Sequence, residues 1–296
     1  MGSSVSDLSH LDEIDAVTCG TAPFAHHSVV RSALEAGKHV ITEKPFTMTL
    51  EEGEELVGLA QERGLILAVV HNFQFAPSAL KVRDWIYSGR GGQLRAVWAM
   101  QLSNPARRLP VWFDELPLGL FYDESPHLIY VARWLAGGGE LERVSATVHP
   151  STLGHANTPA QIDVQMRSGA LPVMLQMNFE APLSEWHVAV LGDRGVAMLD
   201  LFRDIAVFTP NDRRHLARDV LRTSLASTGR HWLGYLRSGL GHVRGALLYG
   251  NDEVFRRFHD SIRSGVPPEG IGPDDAMSVL AIQHWIVDSS HPSPAA

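Results

Sequence analysis

The sequence predicts an α/β fold. A β-α-β-α-β run over residues 14–70 builds a parallel sheet, and an α+β region with strands in antiparallel succession follows it. Three observations predict this. Before residue 70, short β-prone runs alternate with helix-periodic segments. Residues 65–70 are continuously apolar, as suits a strand covered on both faces. After residue 90 strand-like runs crowd together, with Ser168-Gly169 and Asp193-Arg194-Gly195 as turns between neighbours.

Residues 14–19 form the first strand, ending at Gly20-Thr21-Ala22-Pro23. Residues 24–36 read as a helix with Val29, Val30, Ala33 and Leu34 on one side and Gly37 as its stop. Residues 39–42 are the next strand. Thr49-Leu50-Glu51-Glu52 is a capping box that opens a helix carrying Leu56, Leu59 and Ala60 and stopping at Gly64. Pro77 starts a third helix, through Leu80, Val82 and Ile86 to Gly89. Strands are expected at 94–101, 144–149, 162–166, 173–179, 187–191, 196–201 and 205–208. Helices are expected at 126–135, with Ser125 as N-cap and Pro126 as first residue, and at 253–264 and 273–288. These shifts in character divide the chain into 1–90 and 91–296.

Composition narrows the function. The 296 residues hold 25 Lys+Arg against 33 Asp+Glu, a net charge of −8, so there is no global footprint for nucleic acid. Cys19 is the single cysteine, which excludes an internal disulfide and a cysteine-rich zinc site. No H-E-x-x-H occurs among 15 scattered histidines, so no metal centre is expected. The apolar run at 65–70 falls far short of the roughly 20 residues of a bilayer span. The start, Met1-Gly2-Ser3-Ser4-Val5-Ser6-Asp7, has neither a basic nor an apolar leader region, so a cytoplasmic location is expected. Residues 210–250 stand apart as a helical basic insert. They hold seven arginines against Asp212 and Asp219, a balance of +5 that leaves −13 elsewhere. That segment reads as a solvated insert or subunit contact, or else as an anion site or membrane-surface patch.

The segment Gly37-Lys38-His39-Val40-Ile41-Thr42-Glu43-Lys44-Pro45 resembles the signature of the Gfo/Idh/MocA oxidoreductases. Asp15-Ala16-Val17, Pro23 and His26-His27 upstream extend the likeness, as do Asn72-Phe73-Gln74-Phe75-Ala76-Pro77 and Tyr122-Asp123-Glu124-Ser125-Pro126-His127 downstream. The resemblance implies a Rossmann-type parallel sheet followed by a domain with a large, open, mainly antiparallel sheet. It implies hydride transfer between NAD or NADP and a hydroxyl of a sugar, polyol or nucleotide sugar, and a homo-oligomer built through the C-terminal sheet. By the same resemblance Lys44, Asp123 and His127 are catalytic. Thr21, Pro23, His26, Glu43 and Lys44 lie on the cofactor side, and Asn72 and Gln74 on the substrate side. Spacing alone does not separate His26 from His27.

The chemistry suits these residue types. Hydride leaves a C–H while the neighbouring hydroxyl loses a proton, so a base is needed at that oxygen and a cation to stabilise the alkoxide. In the first turn of a helix starting at Pro126, the helix dipole would disfavour a charged His127, with Asp123 orienting the ring.

The chain departs from the family pattern. Gln74 stands where the family usually has Arg, and Ser125 where it often has Gly. No G-x-G-x-x-G occurs; the nearest run, Gly239 to Arg244, ends in Arg and follows no strand. The glycine turn and ribose-binding acid belong to a unit of roughly 30 residues, whereas 13 precede Ile14. The expectation is an N-terminally truncated Rossmann sheet, with residues 16–19 and 39–42 partly uncovered and weak dinucleotide binding. Two alternatives stand beside the oxidoreductase: a non-catalytic relative that has lost its dinucleotide site, and a cofactor-independent lyase or hydrolase using Asp123 and His127.

Overall fold

The computed structural model describes residues 11–290 apart from 156 and 246. In chain order its elements are β1 (Ala16–Cys19), α1 (His26–Glu35), β2 (His39–Thr42), α2 (Leu50–Glu62), β3 (Leu67–Val69), α3 (Pro77–Tyr87), β4 (Leu94–Leu102) and α4 (Leu120–Leu135). There follow β5 (Glu142–His149), β6 (Gln161–Ser168), β7 (Leu171–Asn178), β8 (Glu185–Gly192), β9 (Gly195–Asp200), β10 (Ile205–Pro210), α5 (Ala217–Val243), α6 (Asn251–Ser264) and α7 (Pro273–Ser289).

The described residues fall into two units. The first draws on residues 11–71, Val111–Pro126 and 252–290, the second on Asn72–Pro110 and His127–Asn251. This division differs from a boundary at residue 90. The C-terminal helix α7 packs on β3 and α2 of the first unit, a long-range return that local composition does not signal.

In the first unit β1, β2 and β3 form a parallel sheet in that order, with α1 and α2 packed on each other. Val30, Ala33 and Leu34 of α1 and Leu56 and Ala60 of α2 are buried, as their spacing requires. The capping box forms: Glu52 N–H donates to Thr49 Oγ1 (3.2 Å), and Thr49 N–H donates to Glu52 Oε2 (3.3 Å). Only one of the two strands expected to be bare lies at an edge. Among the described residues β1 has no strand on its outer side, and Thr18 is exposed. β2 is paired on both sides and buries Val40, Ile41 and Thr42. Beyond β3, the Ile271 carbonyl accepts from Val69 N–H (2.8 Å).

Helix α4 corrects a second expectation. It begins at Leu120, so Pro126 lies inside it and Ser125 is no N-cap. An internal proline has no N–H for the carbonyl four residues back, here that of Tyr122. Gln283 of α7 fills the gap: its Nε2 donates to the Tyr122 carbonyl (2.9 Å) and to Ser125 Oγ (3.0 Å). Phe121 and Tyr122 are fully buried, and the Tyr122 hydroxyl donates to the Thr47 carbonyl (2.9 Å). Burial and a borrowed donor thus carry the helix through the proline.

The second unit is built on a seven-stranded sheet of order β10-β9-β8-β4-β7-β6-β5. β5-β6-β7 and β8-β9-β10 are the antiparallel meanders expected. β4 sits between them, antiparallel to β8 and parallel to β7. Alternation along each strand separates the faces; in β8, Trp186, Val188 and Val190 are buried. α3 packs on β9 and β10, and α5 on β10. The opposite sheet face is open, with Trp98, Met174 and Met198 exposed around a concavity.

If Gln283 carries α4 past Pro126, Gln283→Leu leaves a buried carbonyl and a buried hydroxyl without their donor. Urea unfolding is expected to show a loss of about 1–3 kcal/mol. A variant as stable as the parent would show that α4 does not depend on this bond.

Candidate functional site

In the first unit, the loop after β2 holds Glu43-Lys44-Pro45, with the Lys44–Pro45 peptide cis. Lys44 Nζ donates to Asp123 Oδ1 (2.8 Å) and to the Asp123 carbonyl (2.9 Å). Each side chain keeps 15% exposure. The ammonium is therefore fixed by two oxygens on one residue of α4 while retaining access to solvent. Beside it, Glu43 touches solvent, but the protein crowds its carboxyl. Burial raises its proton affinity above the ordinary glutamate value, and the neighbouring Lys44 offsets part of that rise.

The two histidines separate cleanly. His26 is fully buried, its Nδ1 against the Pro45 carbonyl (2.7 Å) and its Nε2 against the Thr21 carbonyl (3.1 Å). It is a strut tying the turn after β1 to the turn after β2, and its ring presents no surface to a ligand. His27 is half-buried and bonds Glu55 (3.0 Å). Pro23 is buried and Thr21 exposed, which leaves Thr21, Glu43 and Lys44 as accessible groups just beyond the carboxyl ends of β1 and β2. Ligands of open parallel sheets bind at those ends.

In the second unit, His127 Nδ1 lies 2.8 Å from the Tyr130 hydroxyl. That hydroxyl donates to Asn72 Oδ1 (3.1 Å) and accepts from Phe73 N–H (3.1 Å). With its proton given to Asn72, the hydroxyl is an acceptor toward His127. This arrangement matches the tautomer in which Nδ1 carries the imidazole proton. Phe73 meets the ring edge-on at 5.0 Å and Trp186 lies tilted at 5.2 Å. The Nδ1-orienting role expected of Asp123 belongs to Tyr130. The helix-dipole argument falls as well, since His127 lies about two turns inside α4. Asn72 and Gln74 are both buried, the latter in the 3-10 turn Phe73–Phe75. Close against that turn, Gly250 has φ +85°; a Cβ there would meet the Asn72 carbonyl at 2.3 Å.

Sequence reasoning missed Tyr130 and Trp186. Tyr130 stands at i+3 from His127, a same-face spacing that could have flagged it; Trp186, on β8, carries no local signal. Glu185, His187 and Asp200 also converge, but Arg203 bridges the two carboxylates. Their charge is already met from within the chain.

A nicotinamide fits the residues present in part. Thr21, Glu43 and Lys44 offer a hydroxyl, a carboxyl and a fixed ammonium beyond the strand ends. For the pyrophosphate and adenosine ribose, the sequence supplies no glycine turn followed by an acid.

Comparison with known proteins places the chain. Residues 2–71 match the model described as "Oxidoreductase family, NAD-binding Rossmann fold", and residues 79–198 that of the GFO/IDH/MocA C-terminal domain. The uncharacterized oxidoreductase YrbE of Bacillus subtilis is 27% identical over 225 residues, 72% of this chain and 65% of that protein. The 1,5-anhydro-D-fructose reductase of Ensifer adhaerens is 31% identical over 160 residues, 52% of this chain and 48% of that one. The chain thus spans less than two thirds of the length of these curated relatives. Among solved structures, GenD2 from gentamicin A biosynthesis, in complex with NAD, superposes with a TM-score of 0.73 at 18% identity, covering 97% of this chain and 78% of its own. The fold is that of an α/β oxidoreductase with an NAD-binding-type parallel sheet. The chain belongs to the Gfo/Idh/MocA family.

Glu43 yields a pH test. Its folded proton affinity exceeds its unfolded one, so the stability it contributes is complete below the ordinary value of 4.5 and is lost as pH rises through the raised folded value. Glu43→Gln abolishes that loss. Thermal melts across a pH series are expected to show the variant gaining on the parent as pH climbs from the ordinary glutamate range to neutrality. A difference independent of pH would show that Glu43 titrates as an ordinary surface acid.

Proposed function

We propose that the chain is an NAD(P)-dependent oxidoreductase acting on a hydroxyl of a sugar, polyol or nucleotide sugar. The observation that carries this reading is the division of partners on α4. Asp123 holds the Lys44 ammonium, while Tyr130 holds the Nδ1 proton of His127 and leaves Nε2 basic. A fixed cation and a base with a set tautomer are what oxidation of an alcohol requires. Neither the non-catalytic alternative nor the lyase or hydrolase gains a supporting observation.

In this reading Lys44 Nζ lies against the substrate oxygen and stabilises it as its proton departs. By the family resemblance His127 is the residue assigned to accept that proton. Asp123 holds the ammonium in place, while Tyr130, bonded to Asn72, holds the imidazole. Thr21, Glu43 and Lys44 hold the nicotinamide end of the cofactor, which when bound supplies the hydride acceptor. Gln74, where the family usually has Arg, shapes the substrate side without adding charge. A second copy of the chain is the proposed partner, against the open sheet face around Trp98, Met174 and Met198. That face mixes apolar side chains with Asp163 and His187 and so suits self-association.

Assays of sugar- and polyol-dependent cofactor reduction test the assignments. Lys44→Arg is expected to fold normally and lose turnover by orders of magnitude, because a guanidinium is bulkier and presents a planar fork instead of a point charge. His127→Ala should cost about 10²–10⁴-fold. Tyr130→Phe should cost about 10-fold or more and change the pH profile of kcat/KM, since it frees the tautomer and leaves the base in place. Full turnover in His127→Ala would remove the base from this reading.

Titration of NADH and NADPH, followed by fluorescence, tests the cofactor separately. With no glycine turn in the sequence, dissociation constants on the order of millimolar are expected. Micromolar binding would reveal pyrophosphate contacts made by other residues. An absence of binding even at high concentration, together with no hydroxyl oxidation, would overturn the proposal.

A further inference from the structure

The basic segment forms α5, and its amphipathicity is inverted. The side facing β10 carries small or polar residues. Ser227 Oγ bonds Thr209 Oγ1 (2.9 Å), Ser238 bonds the Arg203 carbonyl, Arg230 bonds the Phe208 carbonyl, and Gly234 lies directly against Ile205. The bulky apolar residues point away. Leu221, Leu225, Trp232, Leu236, Leu240 and Val243 are between 56% and 88% exposed. At 3.6 residues per turn their spacing places them within an arc of about 100°, in a stripe about 33 Å long.

Charge shows what this stripe suits. The acid of α5 is Asp219, which is buried and accepts from the Leu216 N–H (3.3 Å). After it come Arg222, Arg230 and Arg237, with Arg218 before it and Arg244 just past the helix end. Arg218, Arg237 and Arg244 make no ion pair among the described residues. Two such helices laid stripe to stripe would bring arginines together with no exposed acid between them, so a second copy is electrostatically disfavoured on this face. An anionic surface is attracted by the same arginines. An apolar stripe with Trp232 among leucines and arginines alongside is the composition of a helix lying in a lipid interface. No helix among the described residues is long and apolar enough to cross a membrane, so the contact is peripheral.

We propose that the outward face of α5 docks the protein on an anionic lipid bilayer, with the leucines and Trp232 entering the headgroup boundary and the arginines meeting lipid phosphates.

The test is co-sedimentation of the full chain with vesicles of phosphatidylcholine alone and of phosphatidylcholine with phosphatidylglycerol. Binding is expected to the anionic vesicles only and to weaken as salt is raised. The double variant Leu225→Glu/Leu236→Glu, altered at exposed positions, should keep its circular dichroism spectrum and bind at least about tenfold more weakly. Should that pair disturb folding, Arg218→Gln/Arg237→Gln/Arg244→Gln serves instead and should weaken binding and flatten its salt dependence. The proposal is overturned if the parent does not sediment with anionic vesicles. It is overturned equally if a folded variant binds like the parent, or if the leucine variant lowers the mass seen by light scattering, since the stripe would then be a contact between copies.

Discussion

A proline in the middle of α4 is the constraint on which the first half of the candidate site depends. Pro126 deprives the Tyr122 carbonyl of its helical donor, and such a carbonyl cannot be buried without another. Gln283 supplies it from α7, more than 150 residues along the chain. The carbonyl of the next residue, Asp123, accepts from Lys44. Two successive carbonyls near the proline are thus met by side chains from elsewhere, and one of those side chains is the proposed catalytic lysine. Lys44 thus has a backbone anchor near the proline besides the Asp123 carboxylate.

This arrangement separates two tasks that a single acid is often asked to share. Had Asp123 held the imidazole, its charge would have been divided between His127 Nδ1 and Lys44, and a charged imidazole would have been favoured. Instead the carboxylate lies on the ammonium, and a neutral hydroxyl faces Nδ1. Tyr130 can set the tautomer because its own proton is fixed by Asn72 and its oxygen also receives Phe73 N–H. The neutrality of the partner matters: a phenol orients the ring without adding negative charge that would hold the proton there.

Local signals carried much of the fold. The capping box at Thr49, the apolar run before Val70 and the turns at Ser168-Gly169 and Asp193-Arg194-Gly195 each rest on residues close in sequence, and each element stands where expected. The failures share a cause. The early start of α4, the return of α7 to the first unit and the insertion of β4 between two meanders depend on partners far along the chain. In the candidate site, Lys44, Asp123 and His127 were singled out by a motif. His26 became distinguishable from His27 only once its two carbonyl partners were placed. The role of Tyr130 required the Asn72 and Phe73 bonds that fix its proton, and nothing in helical spacing supplies those.

α5 shows a different limit. Its periodicity and charge were legible, but periodicity identifies a stripe without saying which way it faces. The ordinary expectation turns leucines toward the sheet. Here β10 offers the Phe208 carbonyl and the Thr209 hydroxyl, and the turn before it the Arg203 carbonyl; these are met by Arg230, Ser227 and Ser238. Gly234 permits close approach to Ile205, where a larger residue would prop the helix away. Once the polar side is committed inward, the leucines have nowhere to go but out. The local excess of +5 then accompanies the apolar stripe, on a chain whose remaining residues carry −13. That local excess is what an anionic surface would attract in the proposed docking.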